Sequence, residues 1–137
     1  MDYAPEHGAE IAVQLEQKAE RIDFAELSKF GDIWTIVGDS HILAIAGLYF
    51  NHWGYYTGWA ALAENLTMGE YGFVTQEVKR YLNSKWMRRV DMLVRTDYEA
   101  GHRWAKRLGF TEEGVLRARG VNGEDMTLYA IIKDYLR

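Results

Sequence analysis

Two glycines one helical turn apart could hold a phosphate group. Gly69 and Gly72 follow a strand-like segment, at the point where a helix is predicted to begin. Glycines let a phosphate approach backbone N–H groups, and a helix N-terminus attracts anions. The same spacing is also typical of a plain helix entry, so the pattern leaves both interpretations open.

Glu64 is a carboxylate at the end of a predicted alternating strand. It could act as a general base or be a solvated strand end. His102 could bind a ligand, take part in catalysis or lie at a helix surface. His41 and His52 flank a strand, and no pair of histidines has metal-site spacing. The chain has no cysteine, so neither a thiolate zinc site nor a thiol nucleophile is expected.

The hydrophobic pattern predicts the elements that position these residues. In the first half of the chain they are a strand at 1–4, helices at 6–20 and 24–30, and strands at 33–37, 41–50 and 55–63. The strand at 41–50 is apolar on both faces, as in a sheet covered on both sides. Gly47 in this strand could mark a bulge, and residues 51–54 are expected to form a turn. Thr67 and Glu70 match a capping box, which would start a helix that runs to about Asn83.

The pattern of residues 90–110 predicts a strand at 90–95 and a helix at 98–108. Asp97 is predicted to cap the helix start, and Gly109 is predicted to close its end in the left-handed conformation. Gly101 is unfavourable inside a helix, so we expect a close neighbour there, either backbone or ligand. The helix face predicted to point inward contains Tyr98, Gly101, Trp104, Ala105 and Leu108.

The last strands, at 110–119 and 125–133, are predicted to form a hairpin with Asn122-Gly123 as a tight two-residue turn. A helix between two strands of one sheet implies a parallel crossover, whereas the hairpins imply antiparallel pairing. We therefore predict an α/β (α+β) fold, with a mixed, twisted sheet, helices on both faces and a parallel crossover at the centre.

Size and composition suggest one domain covering residues 1–137. The net charge of −4 gives no reason to expect nucleic acid or an anionic membrane as a partner. The longest apolar run, residues 42–50, is too short to span a bilayer, and no signal peptide is recognised, so a cytoplasmic location is expected. The 14% aromatic content indicates a broad core or an aromatic-lined cleft, and it permits a homodimer.

The stretch from Gly101 to Gly114, GHRWAKRLGFTEEG, resembles the fourth-helix ending of the GNAT superfamily, the acyl-CoA-dependent N-acetyltransferases. In that family a basic run and Leu-Gly-Phe lead into a strand that begins near Glu-Gly, and a hairpin often closes the chain. The resemblance covers most of residues 30–133. The short length and divergent N-terminal part are most similar to phage-encoded GNAT-like proteins.

The resemblance implies that acetyl-CoA, as co-substrate, enters between two splayed parallel strands, here 55–63 and 90–95. An amine on a small molecule or a protein would attack the thioester directly. Glu64 could serve as the base, and Tyr98 or water could protonate the thiolate. The implied cofactor-binding residues are Ala61, Leu62, Ala63, Thr67, Met68, Gly69, Glu70, Tyr71, Gly72, Phe73 and His102.

The chain departs from the family pattern at three places. The loop before the third predicted helix has no basic residue, and Glu70 would place a carboxylate where phosphate is expected. Tyr98 stands where the family often has Asn, and Ala105 stands where it has its usual tyrosine acid. A catalytically inactive GNAT-like structural or binding protein is therefore the alternative, and a small-ligand sensor is a third possibility.

Overall fold

The computed structural model describes residues 31–133, so the strand predicted at 1–4 and the helices predicted at 6–20 and 24–30 lie outside the described residues. The elements in the described range are β1 (Gly31–Val37), β2 (Ile42–His52), β3 (Tyr55–Leu62), α1 (Met68–Ser84), β4 (Arg89–Arg95), α2 (Glu99–Leu108), β5 (Thr111–Leu116) and β6 (Met126–Ile132). No helix in this range has both the length and the apolar composition needed to cross a membrane.

The six strands form one mixed sheet in the order β1-β2-β3-β4-β6-β5. The pairs β1–β2, β4–β6 and β5–β6 are antiparallel. Strands β3 and β4 are parallel, and their ladder joins residues 55–57 to residues 89–91. Since α1 connects this parallel pair, the predicted crossover and the mixed α/β sheet are confirmed.

The described chain divides into two compact units, the first made of residues 31–50 and 58–84 and the second of residues 51–57 and 85–133. In the first unit every β2 residue from Ile42 to Leu48 is buried, as expected for a strand with two apolar faces. Trp34 of β1 stacks on Tyr81 of α1, with the ring centroids 4.3 Å apart. The remaining core cluster of this unit consists of Ile42, Ile45, Ala61 and Ala63.

Gly47 does not mark a bulge in the β1–β2 ladder. Gly47 pairs in register with Ile33, and the irregularity of the β1–β2 ladder lies between Ile36 and Val37. A Cβ at Gly47 would lie 2.5 Å from Cζ2 of Trp59. Glycine is therefore required here because the indole ring passes directly over the backbone.

In the second unit, α2 has the predicted C-terminal cap. Gly109 has a φ of 100°, and its N–H donates to the carbonyl of Lys106 at 3.0 Å. The N–H of Phe110 donates to the carbonyl of Ala105, also at 3.0 Å. Trp104, Ala105 and Leu108 form the buried face of the helix, as predicted.

The start of α2 differs from the prediction. Asp97 does not cap the helix, because Tyr98 is at the N-cap position and makes no side-chain capping bond. The Asp97 carboxylate instead accepts a hydrogen bond from Nε of Arg95 at 3.2 Å. Gly101 does have close neighbours, which are side chains rather than backbone. A Cβ there would lie 2.6 Å from Cγ1 of Val94 and 2.7 Å from Cδ2 of Tyr98.

Strands β5 and β6 form the predicted antiparallel pair, but Asn122-Gly123 is not a two-residue turn between them. The connection runs from residue 117 to residue 125. Within it, Oδ1 of Asp125 accepts the N–H of Ala118, and Oε2 of Glu124 accepts the N–H of Asn122, both at 2.9 Å. These two side chains accept hydrogen bonds from backbone N–H groups of the longer loop. A two-residue turn would not require them.

Candidate functional site

In the first unit, the end of β3 leads into the segment predicted to bind the cofactor. Ala61 and Ala63 are buried, whereas Glu64, just past the end of β3, is exposed. The N–H of Ala63 donates to the carbonyl of Leu43 in β2 at 2.8 Å. The backbone at this strand end is therefore held by β2 before the chain turns into α1.

The predicted capping box at the start of α1 is confirmed. The N–H of Thr67 donates to Oε1 of Glu70 at 3.0 Å, and the N–H of Glu70 donates to Oγ1 of Thr67 at 3.1 Å. Nε2 of His41 lies 3.3 Å from Oε2 of Glu70. The backbone N–H of Thr67, then its side chain and the charge of His41, lower the pKa of Glu70. The first turn of α1 thus carries an ionised carboxylate.

Gly69 and Gly72 leave open space at this helix start. Among residues 31–133, a Cβ at Gly72 would meet nothing within 4 Å, and one at Gly69 would meet only Oγ1 of Thr67, at 3.9 Å. Glycine in a helix costs ~1 kcal/mol relative to alanine, and no packing contact with the described part of the chain requires it at these positions. The opening could admit a phosphate group close to the backbone, although the Glu70 carboxylate opposes an anion there.

A buried carboxylate in the second unit was missed by sequence reasoning. Asp91 of β4 is only 5% exposed. Its Oδ2 accepts the hydroxyl of Tyr55 at 2.5 Å, and its Oδ1 accepts the hydroxyl of Thr57 at 2.8 Å. The Arg89 guanidinium donates to Oδ2 at 3.2 Å. Asp91 interrupts an otherwise apolar strand. Because a buried charge needs partners, a charged residue at this position was the sequence signal for such a cluster.

This network extends to both sides of Asp91. Nδ2 of Asn51 donates to Oγ1 of Thr57 at 2.8 Å. The guanidinium of Arg89 donates to both carboxylate oxygens of Glu113, at 2.7 and 3.1 Å. Glu113, and then Asp91, raise the pKa of Arg89, and Arg89 lowers the pKa of Glu113. Because both Asp91 oxygens already accept hydrogen bonds, the cluster joins β3 to β4 rather than providing a free base.

His102 is part of another internal network. Its Nε2 lies 2.9 Å from the carbonyl of Thr96, so Nε2 carries a hydrogen. Its Nδ1 lies 2.6 Å from the hydroxyl of Tyr129, which donates to it when the imidazole is neutral. Burial, and then the charges of Glu112 and Glu99, raise the pKa of Tyr129. Both ring nitrogens have protein partners, and the cofactor-binding role of His102 stays a prediction.

The other predicted site residues lie in separate parts of the two units. Tyr98 is exposed and directly precedes α2, with its ring beside Gly101. Met68 is 92% exposed and Phe73 is also exposed, whereas Thr67 and Tyr71 belong to the capped turn of α1. Residues 31–133 contain no group of three or more histidine, aspartate or glutamate side chains that could hold a metal ion.

Several solved structures share this fold, and they are acetyltransferases. A point mutant of spermidine N-acetyltransferase from Vibrio cholerae has a TM-score of 0.78 and 12% identity, covering 96% of this chain and 93% of its own. Ribosomal-protein-S5-alanine acetyltransferase from Vibrio fischeri has a TM-score of 0.75 and 14% identity, with coverage of 100% and 93%.

A third structure, the microcin C7 self-immunity acetyltransferase in complex with acetyl-CoA and AMP, has a TM-score of 0.74 and 17% identity, with coverage of 95% and 89%. At this level of identity the similarity establishes the fold. No protein-family profile matches the sequence, and no curated protein matches it.

Proposed function

The chain has the fold of the GNAT acetyltransferases, and we propose that it binds acetyl-CoA and transfers the acetyl group to an amine. The observation that best supports this is the opening over Gly69 and Gly72 in the first turn of α1. A pyrophosphate would lie on the N–H groups of Met68 and Gly69, as anions do at helix starts. Pantetheine would run along the backbone from Ala61 to Ala63.

Bound acetyl-CoA would supply a thioester carbonyl, which the amine attacks so that a C–N bond forms and the C–S bond breaks. Glu64 is proposed to take the proton that the amine loses, because it is exposed at the end of β3. Tyr98 is proposed to give a proton to the leaving thiolate, because it is exposed and Ala105 occupies the position of the family's usual acid.

The acceptor is proposed to be an amine of a small molecule or of a protein. Structures with this fold include one enzyme named for spermidine and one named for the alanine of a ribosomal protein. Both names describe amine acceptors, and they differ in whether the amine belongs to a metabolite or to a polypeptide. Acetylation assays with a polyamine and with a short peptide therefore cover both classes.

Acetyl-CoA should stabilise the protein against thermal unfolding. At about a hundredfold excess over its dissociation constant, a ligand that binds only the folded state adds ~2.7 kcal/mol to the free energy of unfolding. Gly72→Leu should retain the fold, since a Cβ there meets no atom of the described residues within 4 Å, and should lose the ligand's effect because leucine fills the opening. Absence of stabilisation in the unsubstituted protein at millimolar acetyl-CoA would contradict the proposal.

The alternative function is a GNAT-shaped structural or binding protein without catalysis. The ionised Glu70 carboxylate at the start of α1 favours it, because that carboxylate occupies the position suited to a phosphate. Ala105, in place of the usual acid, favours it as well. Stabilisation by acetyl-CoA without release of the CoA thiol, across polyamine and peptide acceptors, would support binding without transfer.

Glu70→Gln should strengthen acetyl-CoA binding by about threefold to tenfold, measured by calorimetry, because it removes a like charge from the anion site. Glutamine at this position keeps the capping-box hydrogen bond, so the helix start is retained. Glu77→Gln is the matched control, since Glu77 lies further along α1 and pairs with Arg80. An equal change in both variants, or weaker binding in Glu70→Gln, would contradict a phosphate position at the start of α1.

A further inference from the structure

Strand β5 is an edge of the sheet, and its side chains are exposed. It comes last in the strand order, after β6, so its outer side has no strand beside it within residues 31–133. Val115 is 49% exposed and Leu116 is 38% exposed, and as sequence neighbours they project from opposite faces of the strand. The side chains of residues 111–113 are exposed as well. An edge of this kind can pair with a strand of another chain.

The charges along β5 change sign from one end to the other. Glu112 and Glu113 lie near its start, and Arg117 directly follows its last residue. Glu113 already pairs with Arg89, with an N–O distance of 2.7 Å. Glu112 and Arg117 are exposed, and neither forms an ion pair within residues 31–133. The edge therefore presents an acidic group at one end and a basic group at the other.

This order of charges is complementary to itself when two copies of β5 run antiparallel. A twofold axis between Gly114 and Val115 would place Glu112 of each copy opposite Arg117 of the other. Opposite charges that face each other across a strand pair stabilise it, and like charges destabilise it. A parallel copy in register would place glutamate beside glutamate and arginine beside arginine. The charges therefore favour the antiparallel arrangement.

The edge is also built to refuse most other strands. The β5–β6 ladder shifts register between Glu112 and Gly114, and bulges and edge charges both hinder indiscriminate strand addition. An acidic segment would be repelled by Glu112, and a basic segment by Arg117. The strand that fits carries a basic residue opposite Glu112 and an acidic residue opposite Arg117. The β5 strand of a second copy satisfies both conditions.

We propose that the protein forms a symmetric dimer in which the β5 strands of two copies pair antiparallel and join their sheets. Glu112 and Arg117 then form two identical ion pairs, one on each side of the axis. Such an interface uses the same surface of both copies, so the assembly closes at two. Backbone hydrogen bonds between the strands supply affinity, and the charge pairs fix orientation and register. The dimer does not depend on acetyl transfer, and its test needs no ligand.

Sedimentation equilibrium over a range of protein concentrations measures the dimer. The unsubstituted protein should dimerise with a dissociation constant below about 0.1 mM. Glu112→Arg alone and Arg117→Glu alone should each weaken the dimer by at least about tenfold, because each change places like charges opposite one another at two positions. The variant with both substitutions restores opposite charges, so it should dimerise about as tightly as the unsubstituted protein.

An equimolar mixture of the two single variants gives a second, independent result. In a mixed dimer the introduced arginine of one variant faces the introduced glutamate of the other, and the original Arg117 faces the original Glu112. Mixing should therefore restore dimers that neither variant forms alone, which also shows that both variants are folded. Arg103→Glu is the matched control, since it reverses an exposed cation on α2. This control should leave the dissociation constant unchanged.

Four results would overturn the proposal. The first is a protein that stays monomeric at about 0.1 mM. The second is a dimer that both single charge reversals leave intact, because its contact would then lie elsewhere. The third is an equal loss in Arg103→Glu, which would make net charge the cause. The fourth is failure of both the double variant and the mixture to dimerise while every variant keeps the thermal unfolding transition of the unsubstituted protein.

Discussion

Replacing Asp91 with asparagine should destabilise the protein by about 3 kcal/mol, because removing one partner of a buried charged cluster leaves the others uncompensated. Asparagine keeps the shape of the side chain but replaces one acceptor oxygen with a donor. The substituted residue would then face the hydroxyls of Tyr55 and Thr57 and the guanidinium of Arg89, all of which donate to Asp91. Urea unfolding measures the loss as a lower transition midpoint.

Asp97→Asn is the matched control for the Asp91→Asn substitution. Asp97 also pairs with an arginine two residues away, Arg95, but both side chains are largely exposed to water. Exposed ion pairs contribute little to stability, so the unfolding midpoint of this variant should stay close to that of the unsubstituted protein. Equal midpoints for Asp91→Asn and the unsubstituted protein would show that the cluster does not hold β3 to β4.

The titration of Tyr55 gives a second measure of the same cluster. Burial, and then the hydrogen bond to Asp91, raise the pKa of Tyr55 above its ordinary value of 10.0. A raised folded-state pKa contributes stability that is present below pH 10 and is lost as the pH rises through the folded value. In Asp91→Asn the phenol should ionise at lower pH in an ultraviolet titration, and Tyr55→Phe identifies its signal.

Gly47→Ala should lower the free energy of unfolding by about 1–3 kcal/mol, the usual cost of overpacking a core. The new methyl carbon would lie 2.5 Å from Cζ2 of Trp59 and 2.8 Å from Nε1, closer than nonbonded atoms approach. The neighbouring atoms belong to a rigid ring, so either the indole or β2 must move. Denaturant unfolding of the purified variant measures the effect.

Gly72→Ala is the control for this substitution, because it adds the same methyl group where no atom of residues 31–133 lies within 4 Å. It should stabilise the protein by up to ~1 kcal/mol, since alanine is the better helix former. In a Trp59→Leu background, Gly47→Ala should cost much less, which a double-mutant cycle measures directly. A cost for Gly47→Ala that is the same in both backgrounds would rule out the clash with Trp59.

The local features of this chain were predictable from its sequence because their partners are near in the chain. The capping box of Thr67 and Glu70 spans three residues, and the left-handed Gly109 closes its own helix. The apolar run in β2 correctly predicted a strand buried on both sides. Together with the Leu-Gly-Phe ending, these features were sufficient for the GNAT-like fold.

The predictions for Asp97 and for Asn122-Gly123 were wrong because other hydrogen-bond partners replaced the expected ones. The carboxylate of Asp97 could have capped α2, but it bonds Arg95 instead. Asn122-Gly123 is a strong signal for a two-residue turn, but Glu124 and Asp125 supply side-chain acceptors that stabilise a longer loop. In each case the residue type favours the predicted local structure, but another hydrogen-bond donor or acceptor determined the conformation.

Within residues 31–133, the sequence by itself determined the succession of helices and strands, the capping box of α1 and the glycine that ends α2, because each depends on residues within one or two turns. Only the tertiary structure decided that Asp91 meets Tyr55 and Thr57, which are 36 and 34 residues away in the chain. It also decided that the rings of Trp53 and Trp86 meet, with their centroids 4.3 Å apart. Such contacts arise when segments that are distant in the chain pair in the sheet. Local sequence patterns do not reveal them.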